Sequence, residues 1–443
     1  MNKINMKIIK LVIIAVIFAA APSLKAQQNW NLQQCIDYAL ENNIQVKQQQ
    51  INADYYANEF KQAKNNRLPS LSSSLSNSFS YGRSLQSDGT YDNFNSNATQ
   101  LGLNASIPLW RGFQIGNSVQ RANFSMQARL QDLQKAKDDL KLNIAAAYLE
   151  ILLDDELIQV ARDQMAVTTQ QVERTKQLVD AGSLAKGSLL EIEAQLANEE
   201  LNLVQAENSQ QLAYLNLYQM LELSATESFK VEKPLLPVVS ANNSLINSME
   251  VFRNAVNFRP EVKSAEFDLQ ASQKSVSIAK GQFYPSLSLG GSYSNWYNNK
   301  YALDFNDQIK NNESYGFGLS MNIPIFSKLQ VRTDVNNAKL EVLTKELDVQ
   351  AVKNNLRKEI EQAYTNAVAA LKKYMASNKA VESMQEAFRY TEEKFNVGMV
   401  TSVEYNQAKN NLTKAQSDLA QAKYDYIFRT KILDFYNGIP ISL

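Results

Sequence analysis

LGLNASIPLWRG (residues 101–112) and FGLSMNIPIFSK (residues 317–328) carry one phrase twice: alternating apolar residues that close on apolar, proline, apolar, aromatic. Pro108 and Pro324 stand 216 positions apart, and the same offset joins Pro69 to Pro285, Ala39 to Ala255, Tyr148 to Tyr364, Gly182 to Gly398 and Leu196 to Leu412. Landmarks this regular make the chain a tandem repeat without net insertion, so it is read one repeat at a time.

Around the phrase the sequence alternates with period two. In PSLSSSLSNSFSY (residues 69–81) every even position from 70 to 80 is serine, and the odd positions offer Leu71, Leu75, Phe79 and Tyr81. Leu101, Leu103, Ala105, Ile107 and Leu109 repeat the pattern, as do Leu287, Leu289 and Tyr293, and then Tyr315, Phe317, Leu319, Met321, Ile323 and Ile325. This predicts four strands, at about 69–81, 98–110, 284–297 and 314–326, apolar on one face and small or hydroxylic on the other. A half-buried soluble sheet would also alternate. Two features favour a membrane barrel: the polar face carries no charge, and aromatics gather at both ends of the strands. Phe79, Tyr81, Tyr293, Trp296, Tyr297 and Tyr315 stand at one end, Trp110, Phe283, Tyr284 and Phe326 at the other. The four prolines are expected where strand gives way to helix, because proline cannot donate to a ladder.

Beyond the strands the period becomes 3.5. Leu130, Leu133, Leu140, Ile144, Ala147, Ile151, Ile158, Ala161, Met165 and Val172 follow a 3,4 spacing, with Lys137, Asp154 and Thr168 as polar exceptions. Val349, Leu356, Ile360, Ala363, Ala367, Ala370, Tyr374, Val381, Met384 and Phe388 repeat it. Such a seam means coiled-coil packing. The proline-free spans, residues 113–181 and 327–397, would each be roughly 100 Å long at 1.5 Å per residue. They fit either a coiled-coil rod or one wall of a helical cylinder. Gly182 and Gly398 end them, and each is followed by a second helix, so each repeat contains a long hairpin with a glycine at its tip.

The wider composition excludes more than it suggests. The 45 basic and 45 acidic residues cancel, giving no reason to expect nucleic acid. The absence of histidine removes the commonest general base and metal ligand. GSLAKGS (residues 182–188) lacks the lysine of a phosphate loop, and GGSYS (residues 290–294) has no histidine to activate its serine. No enzyme and no cofactor are expected. Lys3, Lys7 and Lys10, the apolar run 11–18 and small residues before Ala26 read as an export signal over 1–26. Cys35 has no partner for an internal disulfide; LQQC only superficially matches a lipoprotein box, and an unmodified helix cysteine is expected. The mature chain divides into a first repeat (27–222), a linker (223–244, with Pro234 and Pro237) and a second repeat (245–443). Four strands cannot close around a lumen, and hydrocarbon does not tolerate bare strand edges, so copies must share a barrel of eight, twelve or more strands.

LQQCIDYALENNIQVK (32–47), the two proline phrases, and the tips AGSLAKGSLLEIEAQL (181–196) and VGMVTSVEYNQAKNNL (397–412) together resemble the TolC-type outer-membrane efflux proteins, over essentially the whole mature chain. The resemblance implies an α+β membrane protein of the cell outer membrane: a homotrimer whose four strands per chain share a twelve-stranded barrel, with a coiled-coil tunnel in the periplasm. It implies a passive conduit for small molecules or proteins in a tripartite efflux or type I secretion system. The partners would be a periplasmic adaptor and an inner-membrane pump of RND or ABC type. The adaptor would meet the tips at Gly182, Ser183, Leu184, Gly398, Met399 and Val400, and the gate would involve Glu404 with Val400 and Val403. Glu404 matches an acidic-ring position of the family, but Gln407 and Ser188 stand where further acids are expected, and no basic residue closely follows Gly398. Glu404 has a second reading, as a residue that favours a helix start. A soluble periplasmic coiled-coil adaptor is the rival for the whole chain, although it would need neither four amphipathic strands nor two hairpins.

Overall fold

The computed structural model describes residues 29–85, 87–93, 95–223, 229–236 and 246–442. The export signal and most of the linker lie outside the described residues. In chain order the elements are β1 (Asn29–Trp30), α1 (Leu32–Asn42), α2 (Ile44–Asn65), β2 (Ser70–Ser80), β3 (Arg83–Leu85), β4 (Tyr91–Asn93), β5 (Ser96–Arg111), α3 (Gln114–Asp180), α4 (Lys186–Leu221), β6 (Lys230–Val231), α5 (Ser248–Phe258), α6 (Pro260–Gly281), β7 (Ser286–Asn298), α7 (Phe305–Asn311), β8 (Ser314–Asn322), α8 (Gln330–Asn396) and α9 (Ser402–Tyr436). The starts of α5, α6, β7, α8 and α9 fall 216 residues after those of α1, α2, β2, α3 and α4. The chain packs as two compact units: a sheet unit (Gln45–Asp138 and Asn247–Gln362) and a hairpin unit (Met1–Ile44, Asp139–Ile246 and Ala363–Leu443).

In the sheet unit four antiparallel strands run in the order β2-β5-β7-β8. Two expectations fail here, both around proline. Pro108 lies inside β5, which continues to Arg111. It sits past Ser106, the last β5 residue paired with β2, and at a register shift opposite β7. An unpaired flank and a bulge are the two settings in which a strand tolerates proline. At the second phrase β8 stops at Asn322, opposite Ser286, the first residue of β7. Ile323, Pro324 and Ile325 therefore lie beyond the strand. The long helices also start later than the sequence suggests, at Gln114 and Gln330. Phe113 has φ +63°, and Lys328 and Leu329 have φ +53° and +63°, left-handed turns that no helix can include.

Below the strands, Gly112 (φ +54°) and Gly281 nearly touch: a Cβ on Gly112 would lie 2.3 Å from the Gly281 carbonyl oxygen. Arg129 of α3 reaches Asp268 of α6 through one guanidinium nitrogen, 2.7 Å from both carboxylate oxygens, and Asp132 at 2.6 Å. Ser264 donates to Asp132 at 2.6 Å, and Lys353 of α8 pairs with Glu266 at 2.7 Å. Charge-assisted bonds of this kind fix helix register.

The hairpin unit is built from α1, α4, α9, the later part of α3 and the later part of α8. The heptad seam forms its core: Ile144, Ala147, Ile151 and Ile158 of α3 and Ala363, Ala367 and Ala370 of α8 are buried. Toward the tips the seam opens, since Met384 is exposed. Asn31 caps α1 in a reciprocal box with Gln34, and Cys35 behind it is fully buried, which pushes its thiol up to about 12. Trp30 stacks on Phe229 across the parallel pair β1–β6, and the Tyr148 hydroxyl donates to the Glu232 carbonyl at 2.6 Å.

Asp154 sits in this seam, 5 % exposed. Burial and, after it, the nearby Glu150 push its carboxyl up to about 6. A raised acid pKa means the folded chain holds the proton more tightly than the unfolded one. Stability is then greatest below the unfolded value near 4 and declines as pH rises through 6. Asp154→Asn should therefore stabilise the folded chain at pH 8, by an amount on the order of 2–3 kcal/mol, and change little near pH 4. Calorimetry at the two pH values checks this; an equal shift at both would refute it.

Candidate functional site: the sheet faces and the hairpin tips

The register aligns the odd positions of all four strands. Leu71 pairs with Ala105 and Leu75 with Leu101; Leu103 pairs with Tyr293 and Ile107 with Leu289; Leu289 pairs with Leu319 and Leu287 with Met321. One face thus carries the large apolar residues of all four strands, with Ser73, Asn77, Thr99 and Asn295 among them. The other pairs Ser70 with Ser106, Ser106 with Gly290, and Gly290 with Gly318. The bulge resets this parity at the end of β5: Trp110, not Leu109, faces Leu287. Trp296 likewise has the parity of the serine face, so it does not belong to the apolar girdle. Leu71, Leu75, Phe317, Leu319 and Met321 are 60–93 % exposed. The sheet buries neither face against its own chain along β2 and β8, where every residue is exposed.

At the far end of the strands the two connections differ. The first forms the small ribbon β3–β4. The second is the short helix α7, fixed by Gln308, 1 % exposed, whose side chain bonds the backbone of Asn298 and the Leu303 carbonyl. Both elements were missed from sequence, because seven-residue helices and three-residue strands carry too few periods to register.

In the hairpin unit Gly182 and Gly398 adopt φ +72° and +76°. Each tip closes with a pair of backbone bonds: Gly182 N–H to Val179 O and Ser183 N–H to Leu178 O, then Gly398 N–H to Phe395 O and Met399 N–H to Lys394 O. This is a Schellman cap, which demands the left-handed residue that glycine supplies. Met399 and Val403 are largely exposed (75 % and 62 %), Ser183, Leu184 and Glu404 are exposed, and Val400 is half-buried. Glu404 closes a capping box: its carboxylate accepts from Thr401 N–H at 2.9 Å, while Thr401 caps the Glu404 N–H. So its helix-start role is observed.

Behind the tips is a group that the sequence reading missed. Lys409 of α9 is 2 % exposed, 3.3 Å from Glu199 of α4, and bonded to Thr168 and the Gln164 carbonyl of α3. Burial pulls its ammonium below its ordinary range, while Glu199 opposes that pull. A signal for it existed: the series Leu412, Ala415, Leu419, Ala422 extends back by three to Lys409 and by four more to Tyr405. A lysine on an apolar seam needs a buried partner.

The outer membrane efflux protein family model matches residues 35–222 and 251–433. The chain belongs to that family. Its relatives include the outer membrane protein TolC of Vibrio cholerae serotype O1, 26 % identical over 340 residues that cover 75 % of each chain. The alkaline protease secretion protein AprF of Pseudomonas aeruginosa is 22 % identical over 71 % of this chain and 64 % of its own. Among solved structures CusC superposes with a TM-score of 0.78 at 18 % identity, covering 94 % of this chain and 96 % of that one. The fold is that of these channels, and the protein is a TolC-like transport protein of the outer membrane. Membership of an outer-membrane family sets aside the soluble-adaptor reading. No helix among the described residues is long and apolar enough to cross a membrane, and the family is one of efflux proteins rather than enzymes.

Proposed function

We propose that three copies of this chain close a twelve-stranded barrel in the outer membrane and form a passive conduit for export. A periplasmic adaptor and an inner-membrane pump of RND or ABC type would open it, for small molecules or for proteins. The observation that carries this reading is the sheet: large apolar residues across one face, serine and glycine across the other, with β2 and β8 as bare edges. In hydrocarbon such edges must pair, and among the described residues of one chain they have no further strand to pair with. Exposed apolar residues on the helices add support: Leu340, Leu343 and Leu347 on α8, and Leu201, Val204, Leu212 and Leu215 on α4. They suit burial against further copies. Native mass spectrometry in detergent should give three copies; a stable membrane-inserted monomer would overturn the assembly.

The tips are the proposed adaptor contact, through Gly182, Ser183, Leu184, Gly398, Met399 and Val400. Gly398→Pro removes the N–H donated to Phe395 and demands φ near −65° where the chain has +76°. It should abolish export while leaving barrel insertion intact. Export that survived proline at both Gly182 and Gly398 would move the contact elsewhere.

The proposed gate is Glu404 with Val400 and Val403, three copies of the carboxylate converging near the axis. Glu404→Gln keeps the capping box, since glutamine also serves at that position, and deletes only the charge. Block of single-channel current by multivalent cations should weaken when they are added on the periplasmic side. Unchanged block would leave Glu404 with its helix-start role alone.

A further inference from the structure

The buried group behind the tips spans three helices. Glu199 of α4 accepts from Thr168 of α3, from Gln195 at 2.8 Å and from Gln164 at 3.3 Å. Lys409 of α9 donates to Glu199, to Thr168 and to the Gln164 carbonyl at 3.0 Å, and beside it Gln195 donates to Asn410 at 3.0 Å. Both charged side chains are at least 96 % buried. Two cavities lie in the same hairpin unit. Toward the tips, about 520 Å³ lies between the two hairpins, crossed by Arg174 to Asn396 and Ser402 to Glu191, both at 2.5 Å. Away from the tips, about 350 Å³ is lined by Val160, Gln164, Phe388, Lys409 and Leu412. Close packing is therefore interrupted beside Lys409 and Gln164, and again nearer the tips.

The junction also fixes how α9 is turned. Ser402, Tyr405 and Lys409 are buried, so Val403, Glu404 and Gln407 face outward. We propose that the Glu199–Lys409 pair is a clamp that holds the second hairpin against the first and positions Val403 and Glu404 at the tip. A buried pair suits the task because it holds firmly only while both partners are present: losing one leaves an uncompensated charge, which is strongly destabilising. With a void beside Lys409, that penalty is expressed locally rather than spread through a packed core. Lys409 and Glu199 act here through other groups and are positioning residues. Their effect on conductance rests on the gate reading above; their effect on hairpin contact does not.

The test is hydrogen exchange on the assembled protein in detergent, with single-channel conductance recorded beside it. Lys409→Met should speed exchange of amides 396–412 by about tenfold or more, because it strands Glu199. Amides of 422–436 and of the sheet should keep wild-type rates. The double variant E199Q/K409M strands no charge, so it keeps the test available if the single variant does not assemble. It should exchange faster than wild type over 396–412 but no faster than K409M, the non-additivity expected of directly coupled residues. Wild-type exchange in the double variant, or effects of E199Q and K409M that multiply, would overturn the clamp. Faster exchange with a raised resting conductance supports both clamp and gate. Faster exchange at unchanged conductance supports the clamp and removes the gate from this end.

Discussion

Leu319→Arg should prevent assembly of the membrane form, and Ser320→Arg, one residue along the same strand, should not. Leu319 pairs with Leu289 on the apolar face, whereas Ser320 pairs with Ser288 on the hydroxyl face. An arginine against lipid near the midplane costs roughly 2–4 kcal/mol, and in a trimer each assembly carries it three times. On the other face the same side chain meets water and changes conductance instead. The fraction of protein that migrates as the assembled oligomer from outer-membrane extracts measures the first effect. Planar-bilayer conductance measures the second. Equal assembly loss at 319 and 320 would contradict the assignment of faces. Ile323 does not offer the same comparison, because β8 ends at Asn322.

Gly112→Val should be the most damaging change in the sheet unit. Its Cβ would lie 2.3 Å from the Gly281 carbonyl oxygen and 2.8 Å from the Tyr284 Cβ, distances at which backbone must move. The residue also holds φ +54°, which a β-branched side chain resists. Clash and strain together imply a loss on the order of 4 kcal/mol or more. Gly116→Val, a few residues on, has nothing within 4 Å of the added Cβ. It should change stability by less than about 1 kcal/mol, because valine is no worse a helix former than glycine and the added atoms meet nothing. Thermal dissociation of the oligomer separates the two. Similar midpoints would mean that the crossing relaxes more freely than its contacts allow.

The sequence spoke clearly where a period ran long. The alternation in β2 and β8 and the 3,4 seam of α3 and α8 each repeat often enough to set face and element type. The tip glycines were legible because a left-handed residue between two helices is nearly always glycine. What stayed hidden depended on partners. Pro108 looks like a strand end, but β2 falls short of it and the bulge accommodates it. Gln308 and α7 are held by contacts to Asn298 and Leu303 that no periodicity announces. At the tips both readings of Glu404 fit the sequence; the T-x-x-E spacing of Thr401 and Glu404 already signals a capping box, and the structure shows it formed. Thr168 was conspicuous as a polar break in the seam, yet its partners Glu199 and Lys409 come from two other helices. Such a triangle becomes legible only when the helices are set side by side.

The strand order has a consequence for the chain's history. β5 and β7 are neighbours, yet Arg111 ends one and Ser286 begins the other, with both helices of the first hairpin between them. A newly made β2–β5 hairpin must therefore wait for the second half to be synthesised. Closing so long a loop adds about 4–5 kcal/mol of entropy before the first pair forms. Throughout that interval β5 offers Leu101, Leu103 and Ile107 beside an unfilled edge. A chain truncated before Ser286 would leave it so permanently, and the product would be a seed for aggregation rather than half a channel.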